Sequence, residues 1–261
     1  MLALASILFL ESGSSVESSI FEVAVPLIPK SAMLCEYLKL SSGKGNELRL
    51  NDPSGALSYW HGLRDGCVGL LESRLRWGGP LAVKQLCASN IPLLLVDLLA
   101  NNQPEVDSTN DQVGLSPIGV VWTVLSICQC LSGRALTFRQ ILLRCNHIKL
   151  ISDLISDMHL KLVKSWVGPG GGKDGVRDIT NAVIDVLAFP FVAVQNVPGL
   201  PSTTASVNSG ALLNLGSPGV RVGMEDKDMV KVIEEDLGKY IKNLLEVRIS
   251  FLCFSSLRRQ G

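Results

Sequence analysis

The stretch Trp77-Gly-Gly-Pro-Leu-Ala-Val-Lys-Gln-Leu-Cys-Ala-Ser-Asn-Ile-Pro-Leu-Leu-Leu-Val-Asp-Leu-Leu-Ala100 constrains the chain most. Leu81, Leu86 and Cys87 recur near the 3.6-residue helical period, and Pro80 suits a first helical turn, where its missing N–H has no partner to lose. Asn90 tolerates a left-handed or capping conformation, so the spacing predicts a break at Ser89-Asn90 and a second helix opened around Pro92. In that helix Ile91, Leu94, Leu95, Leu98 and Leu99 form one broad apolar stripe, with Asp97 left toward solvent. A stripe this wide needs neighbours on two sides, which stacked helical repeats supply. The fold class expected is all-α, an armadillo/HEAT-like helical repeat array with long loops.

Composition agrees. The 261 residues carry 24 basic and 24 acidic side chains, so no basic surface calls for nucleic acid. Aromatic residues are 5% and charged residues 18%, which suits buried aliphatic helices. The seven cysteines (Cys35, Cys67, Cys87, Cys128, Cys130, Cys145 and Cys253) are odd in number and scattered. They read as reduced, buried thiols of a cytoplasmic protein, with no disulfide framework. They and the three histidines show no zinc spacing, so no metal and no cofactor is expected. No apolar run reaches the eighteen or so residues of a membrane span. Met1–Leu10 imitates a signal-peptide core but lacks a basic start, and it reads as a core helix.

Along the chain, residues 1–55 read as a partly helical segment with a flexible linker at 41–54. Residues 56–167 read as helical repeats, 168–175 as a Gly-rich loop, and 176–247 as a continuation with a disordered excursion at 195–223. Residues 248–261 form an atypical tail. Trp60, Leu63, Cys67, Leu70, Leu71 and Leu75 mark a strong amphipathic helix, and 101–114 reads as a mobile loop. Ser116-Pro117 opens a helix through Leu131 that is apolar almost all round and therefore central, with Gly133 as its stop. A short helix carries Phe138, Ile141, Leu142 and Cys145, and the next covers Ile148–Ser156, which echoes Ile91–Leu99. That order is expected of successive three-helix units lengthened by the 101–114 insertion. His159–Val167 starts another unit, Val176–Val194 is a helix stopping near Phe189-Pro190, and Met229, Ile233, Leu237, Tyr240, Ile241 and Leu244 give the last helix its inward side.

Two stretches tempt a catalytic reading. Val167-Gly-Pro-Gly-Gly-Gly-Lys-Asp174 imitates a phosphate loop, but Val167 and Asp174 stand where the Walker pattern needs Gly and Ser or Thr. Gly170, Gly172 and Gly175 fit Gly-x-Gly-x-x-Gly, yet Arg177 occupies the kinase Val position and neither His-Arg-Asp nor Asp-Phe-Gly occurs. A nucleotide-binding enzyme using the 168–177 loop is therefore the alternative reading, behind a plain inter-helix loop. His61 suggests a cap or a surface role, and His159 does not face Asp157 across a helix. Arg64, Arg74, Arg76, Lys161 and Lys164 read as solvated faces, or as a surface for an acidic or helical partner.

The run Gly62-Leu-Arg-Asp-Gly-Cys-Val-Gly-Leu-Leu-Glu-Ser-Arg-Leu-Arg-Trp-Gly-Gly-Pro-Leu-Ala-Val-Lys-Gln-Leu-Cys-Ala-Ser89 resembles the C-terminal region of plant Fused-type serine/threonine kinases. Leu115-Ser-Pro-Ile-Gly-Val-Val-Trp-Thr123, Leu162-Val-Lys-Ser-Trp166, Gly168–Arg177, Ala188–Ala193, Ala205–Gly210, Gly216–Val222 and Met224–Asp226 extend the likeness over about 56–247. The resemblance implies an armadillo/HEAT-like array that follows a kinase domain absent from this chain. It further implies a non-catalytic scaffold in cytokinesis and cell-plate expansion at the phragmoplast, docking microtubule motors of the kinesin-12 class. From Arg248 on the likeness is expected to lapse, as a premature end or a truncated product without activity of its own would show.

Overall fold

A computed structural model of the chain describes residues 56–77, 79–88, 90–101, 115–195 and 227–257. Expectations for 1–55, 102–114, 196–226 and 258–261 lie outside the described residues, as do the side chains of Trp60, His61, Leu81 and Met229. Nine helices are described: α1 (Ala56–Trp77), α2 (Gly79–Ala88), α3 (Ile91–Asn101), α4 (Pro117–Leu131), α5 (Ala135–Ile141), α6 (Cys145–Asp153), α7 (Asp157–Ser165), α8 (Gly172–Gln195) and α9 (Lys227–Leu257). Among the described residues there is no strand.

The α2–α3 break forms where the sequence places it. Asn90 has φ 60°, the left-handed conformation that Asn tolerates better than most residues. Ile91, Leu95, Val96, Leu98 and Leu99 are buried while Asp97 is exposed. In α4, Ser116 is the N-cap: its Oγ accepts from the Gly119 N–H at 3.2 Å, and Pro117 follows in the first turn. Twelve of the fifteen residues of α4 are buried, Thr123, Ser126 and Gln129 among them. Two of these polar side chains turn back on their own helix, Thr123 to the Gly119 carbonyl at 2.7 Å and Ser126 to the Trp122 carbonyl at 2.7 Å.

Helix α4 is the centre of the packing. It lies against α1 and α8 most extensively and also touches α2, α3 and α5. Helix α8 packs in turn on α7, α6 and α9, and α9 spans α5, α6 and α8, so one core runs from Cys67 to Val247.

Four boundaries or orientations differ from expectation. The second short helix starts at Cys145, after Arg144 in an extended conformation, so Cys145 does not belong to the helix of Phe138. Helix α8 begins at Gly172, inside the Gly-rich stretch, and passes through Pro190 to Gln195. Proline removes one helical hydrogen bond and crowds the carbonyls of the preceding turn. Packing of Phe189 and Ala193 holds the helix together there, and Tyr240 Oη donates to the Leu187 carbonyl at 2.7 Å. Ile241 is 38% exposed and so is not on the inward side of α9, where Asn243 is buried instead and donates to the Leu143 carbonyl at 3.1 Å. Finally, α9 has no break at Val247 and continues to Leu257.

Candidate partner-binding surface

The five basic residues expected to face solvent separate into two groups. Arg64, Arg74 and Arg76 lie on α1, which packs on α4 and α2, whereas Lys161 and Lys164 lie on α7, which packs on α8.

Arg64 is a correction: it is 1% exposed, not a solvated side chain. Helix α1 is buried on more sides than its apolar stripe suggests, because it lies along α4. Arg64 Nε faces Asp65 Oδ1 at 3.5 Å, and Ser116 Oγ donates to Asp65 Oδ2 at 2.5 Å, so the cap of α4 is tied to α1. Burial lowers the Arg64 pKa, opposed by the Asp65 charge; burial raises that of Asp65, opposed first by Arg64 and then by Ser116.

Arg76 is occupied as well. Its Nε donates to Glu72 Oε1 at 2.6 Å, one helical turn away, and Glu72 is fully buried. Burial pushes the Glu72 carboxyl up against the opposing pull of Arg76, and Glu72 Oε2 has no hydrogen-bond partner. Arg74 is half-buried with an unpartnered Nε. This end of α1 is an internal electrostatic device, not an open basic patch. One sequence signal pointed to it: Glu72 stands four residues before Arg76.

Lys161 and Lys164 are exposed. Beside them on α7 are two exposed apolar side chains, Met158 (50%) and Leu162 (38%), while His159 and Val163 face inward. Ser156 caps the helix, and His159 Nδ1 lies 2.7 Å from the Leu154 carbonyl, so this histidine is part of the packing and not a partner of Asp157. Burial lowers the His159 pKa, opposed by that contact.

The glycine loop is built for close approach. Gly170 has φ 78°, and a Cβ there would fall 2.5 Å from the Ile118 nitrogen, at the start of α4. A Cβ on Gly175 would run into the Gly170 carbonyl, and the Gly171 and Gly175 amides donate to the carbonyls of Gly168 and Gly171. The glycines therefore let the α7–α8 turn press on α4, and two of its amides, those of Gly171 and Gly175, are already bonded within the loop.

Among the described residues no group of three His, Cys, Asp or Glu side chains could hold a metal, and no helix is long and apolar enough to cross a membrane.

No family model matches the chain, and no solved structure matches it. The chain is 59% identical over 262 aligned residues to "Serine/threonine-protein kinase TIO" of Arabidopsis thaliana. The match takes in 98% of this chain and 20% of that kinase, so the chain spans about one fifth of the relative's length. A match this complete extends beyond 56–247, and α9 runs without a break through Val247.

Proposed function

We propose that this one-fifth counterpart of a plant serine/threonine kinase is a non-catalytic docking scaffold: an armadillo/HEAT-like array that holds a helical partner. The observation that carries the reading is that α4 packs on both α1 and α8, and α8 in turn on α9. Helices α4 and α8 thereby each gain several helical neighbours, as members of a stack of repeats do. The burial patterns of α3 and α6 support the same view. Ile91, Leu95 and Leu98 are matched by His147, Ile151 and Leu154, all buried.

On this reading the whole kinase acts in cytokinesis at the phragmoplast, and this part of it docks a kinesin-12-class motor through the motor's coiled coil. The docking surface is the outer side of α7, where Lys161 and Lys164 flank Met158 and Leu162. Two apolar side chains framed by two cations suit an amphipathic helix with acidic flanks. Arg64, Arg74 and Arg76, on α1, are not part of the proposed surface.

The test is a pull-down of a purified kinesin-12 coiled coil by the full 261-residue chain, with circular dichroism as the folding control. Retention that falls at least about tenfold in the double variant Lys161→Glu/Lys164→Glu is expected, since reversing exposed charges at a complementary interface costs on the order of 1.4 kcal/mol or more. No retention by a helical, cooperatively melting chain overturns the docking reading. A thermal shift with Mg-ATP would favour a nucleotide site instead, because a ligand that binds only the native state stabilises it.

A further inference from the structure

The last turns of α2 and α4 bring two thiols together. Cys87, half-buried, donates its S–H to the Cys130 carbonyl at 3.4 Å. Cys87 and Cys130 thus touch across 43 residues of chain. The space is kept open by Gly133, whose Cβ, if present, would sit 2.8 Å from Cys87 Sγ. The interaction with Cys130 lowers the Cys87 pKa, burial opposes it, and Thr137 and Arg134 lower it further, while the fully buried Cys130 is pushed up by the same interaction and by burial.

The other described thiols differ. Cys67 and Cys128 are buried, and burial pushes each up to about 12. Cys145 is exposed, with only a 3.9 Å contact to Glu246. A reactive cysteine combines access with groups that favour the thiolate, and a second thiol beside it can capture the oxidised form. Cys87 alone among the described cysteines has all three.

We propose that Cys87 and Cys130 are a peroxide-oxidisable dithiol, in which Cys87 attacks, Cys130 resolves, and the resulting disulfide staples α2 to α4. In the first step the Cys87 sulfur attacks one oxygen of hydrogen peroxide. The O–O bond breaks, a sulfenic acid forms, and the leaving hydroxide takes the thiol proton as water. In the second step the Cys130 sulfur displaces that hydroxyl, the S–S bond forms, and its proton leaves with the hydroxyl as a second water. Two thiols are oxidised and one peroxide is reduced. A thiol reductant reverses the bond. The proposal stands independently of partner docking.

The test is mass spectrometry of the full chain after brief exposure to about one equivalent of hydrogen peroxide per thiol, digested without reductant. A linked Cys87–Cys130 peptide that dithiothreitol removes is expected. In Cys130→Ser, dimedone should trap a sulfenic acid at Cys87 at least about tenfold more than at Cys67 or Cys128. Dominant trapping at Cys145 in that variant, or linked peptides joining other cysteines in the unaltered chain, overturns the proposal. If Cys130→Ser fails to fold, the presence or absence of the linked peptide in the unaltered chain decides alone.

Discussion

The segments Ile91–Leu99 and His147–Ile155 share a spacing of buried positions, and they are filled differently. Ile91, Leu95 and Leu98 are 0%, 0% and 3% exposed; His147, Ile151 and Leu154 are 8%, 0% and 0%. Asp97 is exposed and Asp153 half-buried at the matching positions. The second segment thus puts an imidazole where the first puts an isoleucine, and Ser152 where the first puts the buried Val96. Three inward positions are common to both segments, while the residues around them differ. The second segment and its neighbours can carry polar residues because α9 covers them and supplies bonds of its own. Asn243 reaches the Leu143 carbonyl, and Arg139 Nε meets Asp236 Oδ2 at 2.6 Å. The first segment rests directly on α4 and has no such cover among the described residues.

Truncation of matched core residues is the strongest way to break this comparison. Leu95→Ala and Ile151→Ala should each lose about 2–5 kcal/mol in denaturant unfolding, the cost of a large-to-small change in a closed core. A loss under about 1 kcal/mol for Ile151→Ala alone would end the equivalence of the two segments.

Asp185 of α8 gives the next effect. It is 6% exposed with an unpartnered Oδ1, and burial pushes its carboxyl up to about 7. The unfolded chain releases this proton near the ordinary value of 3.8, whereas the fold holds it to about 7. Between those values the native state binds more protons, so stability should fall as pH rises, by up to about 1.4 kcal/mol per pH unit. Asp185→Asn should flatten that slope in melts from pH 5 to pH 8 and leave the variant more stable than the parent at pH 8. An unchanged slope sinks the assignment.

His147 titrates in the opposite sense. Burial, then the neighbouring Arg144 charge, lowers its pKa, and its Nδ1 has no partner. Below the ordinary value of 6.5 the unfolded chain takes up a proton that the fold resists, so stability is lost as pH falls. Replacing the histidine by the residue at the matching position, His147→Ile, should gain about 1 kcal/mol at neutral pH and weaken the acid-side loss. A destabilised variant would show that the imidazole site is not shaped like that of Ile91.

The smallest effect belongs to the turn that starts the first segment. Asn90→Gly should be neutral within about 0.5 kcal/mol, and Asn90→Ala should cost about 1 kcal/mol, since only the latter resists φ 60°. Equal Tm values for the two would show that the left-handed turn carries no strain.

Much of the fold was legible because helices announce themselves locally. The Leu and Ile spacing of α3, the Ser116-Pro117 start of α4 and its apolar perimeter needed only the helical period and capping chemistry. The echo was legible too, but its register was off by one: apolar side chains alone align Ile91 with Ile148, and only burial aligns it with His147. The candidate surface was half legible. Lys161 and Lys164 were placed correctly as exposed, while Arg64 was not, because a charge in a helical stripe reads as solvent-facing until its neighbours are known.

By itself, then, the sequence determined what the described segments could become: which of them were helices, where α3 and α4 started, and that α4 would be central. The tertiary structure decided what lay between them. It buried Arg64 against Asp65 and Ser116, carried α8 through Pro190, set Gly170 against Ile118, and brought Cys87 to Cys130 across 43 residues of chain. The division has a physical cause. Backbone hydrogen bonding and side-chain period are settled within a few turns, whereas desolvation, close backbone approach and thiol proximity depend on residues far apart in the chain.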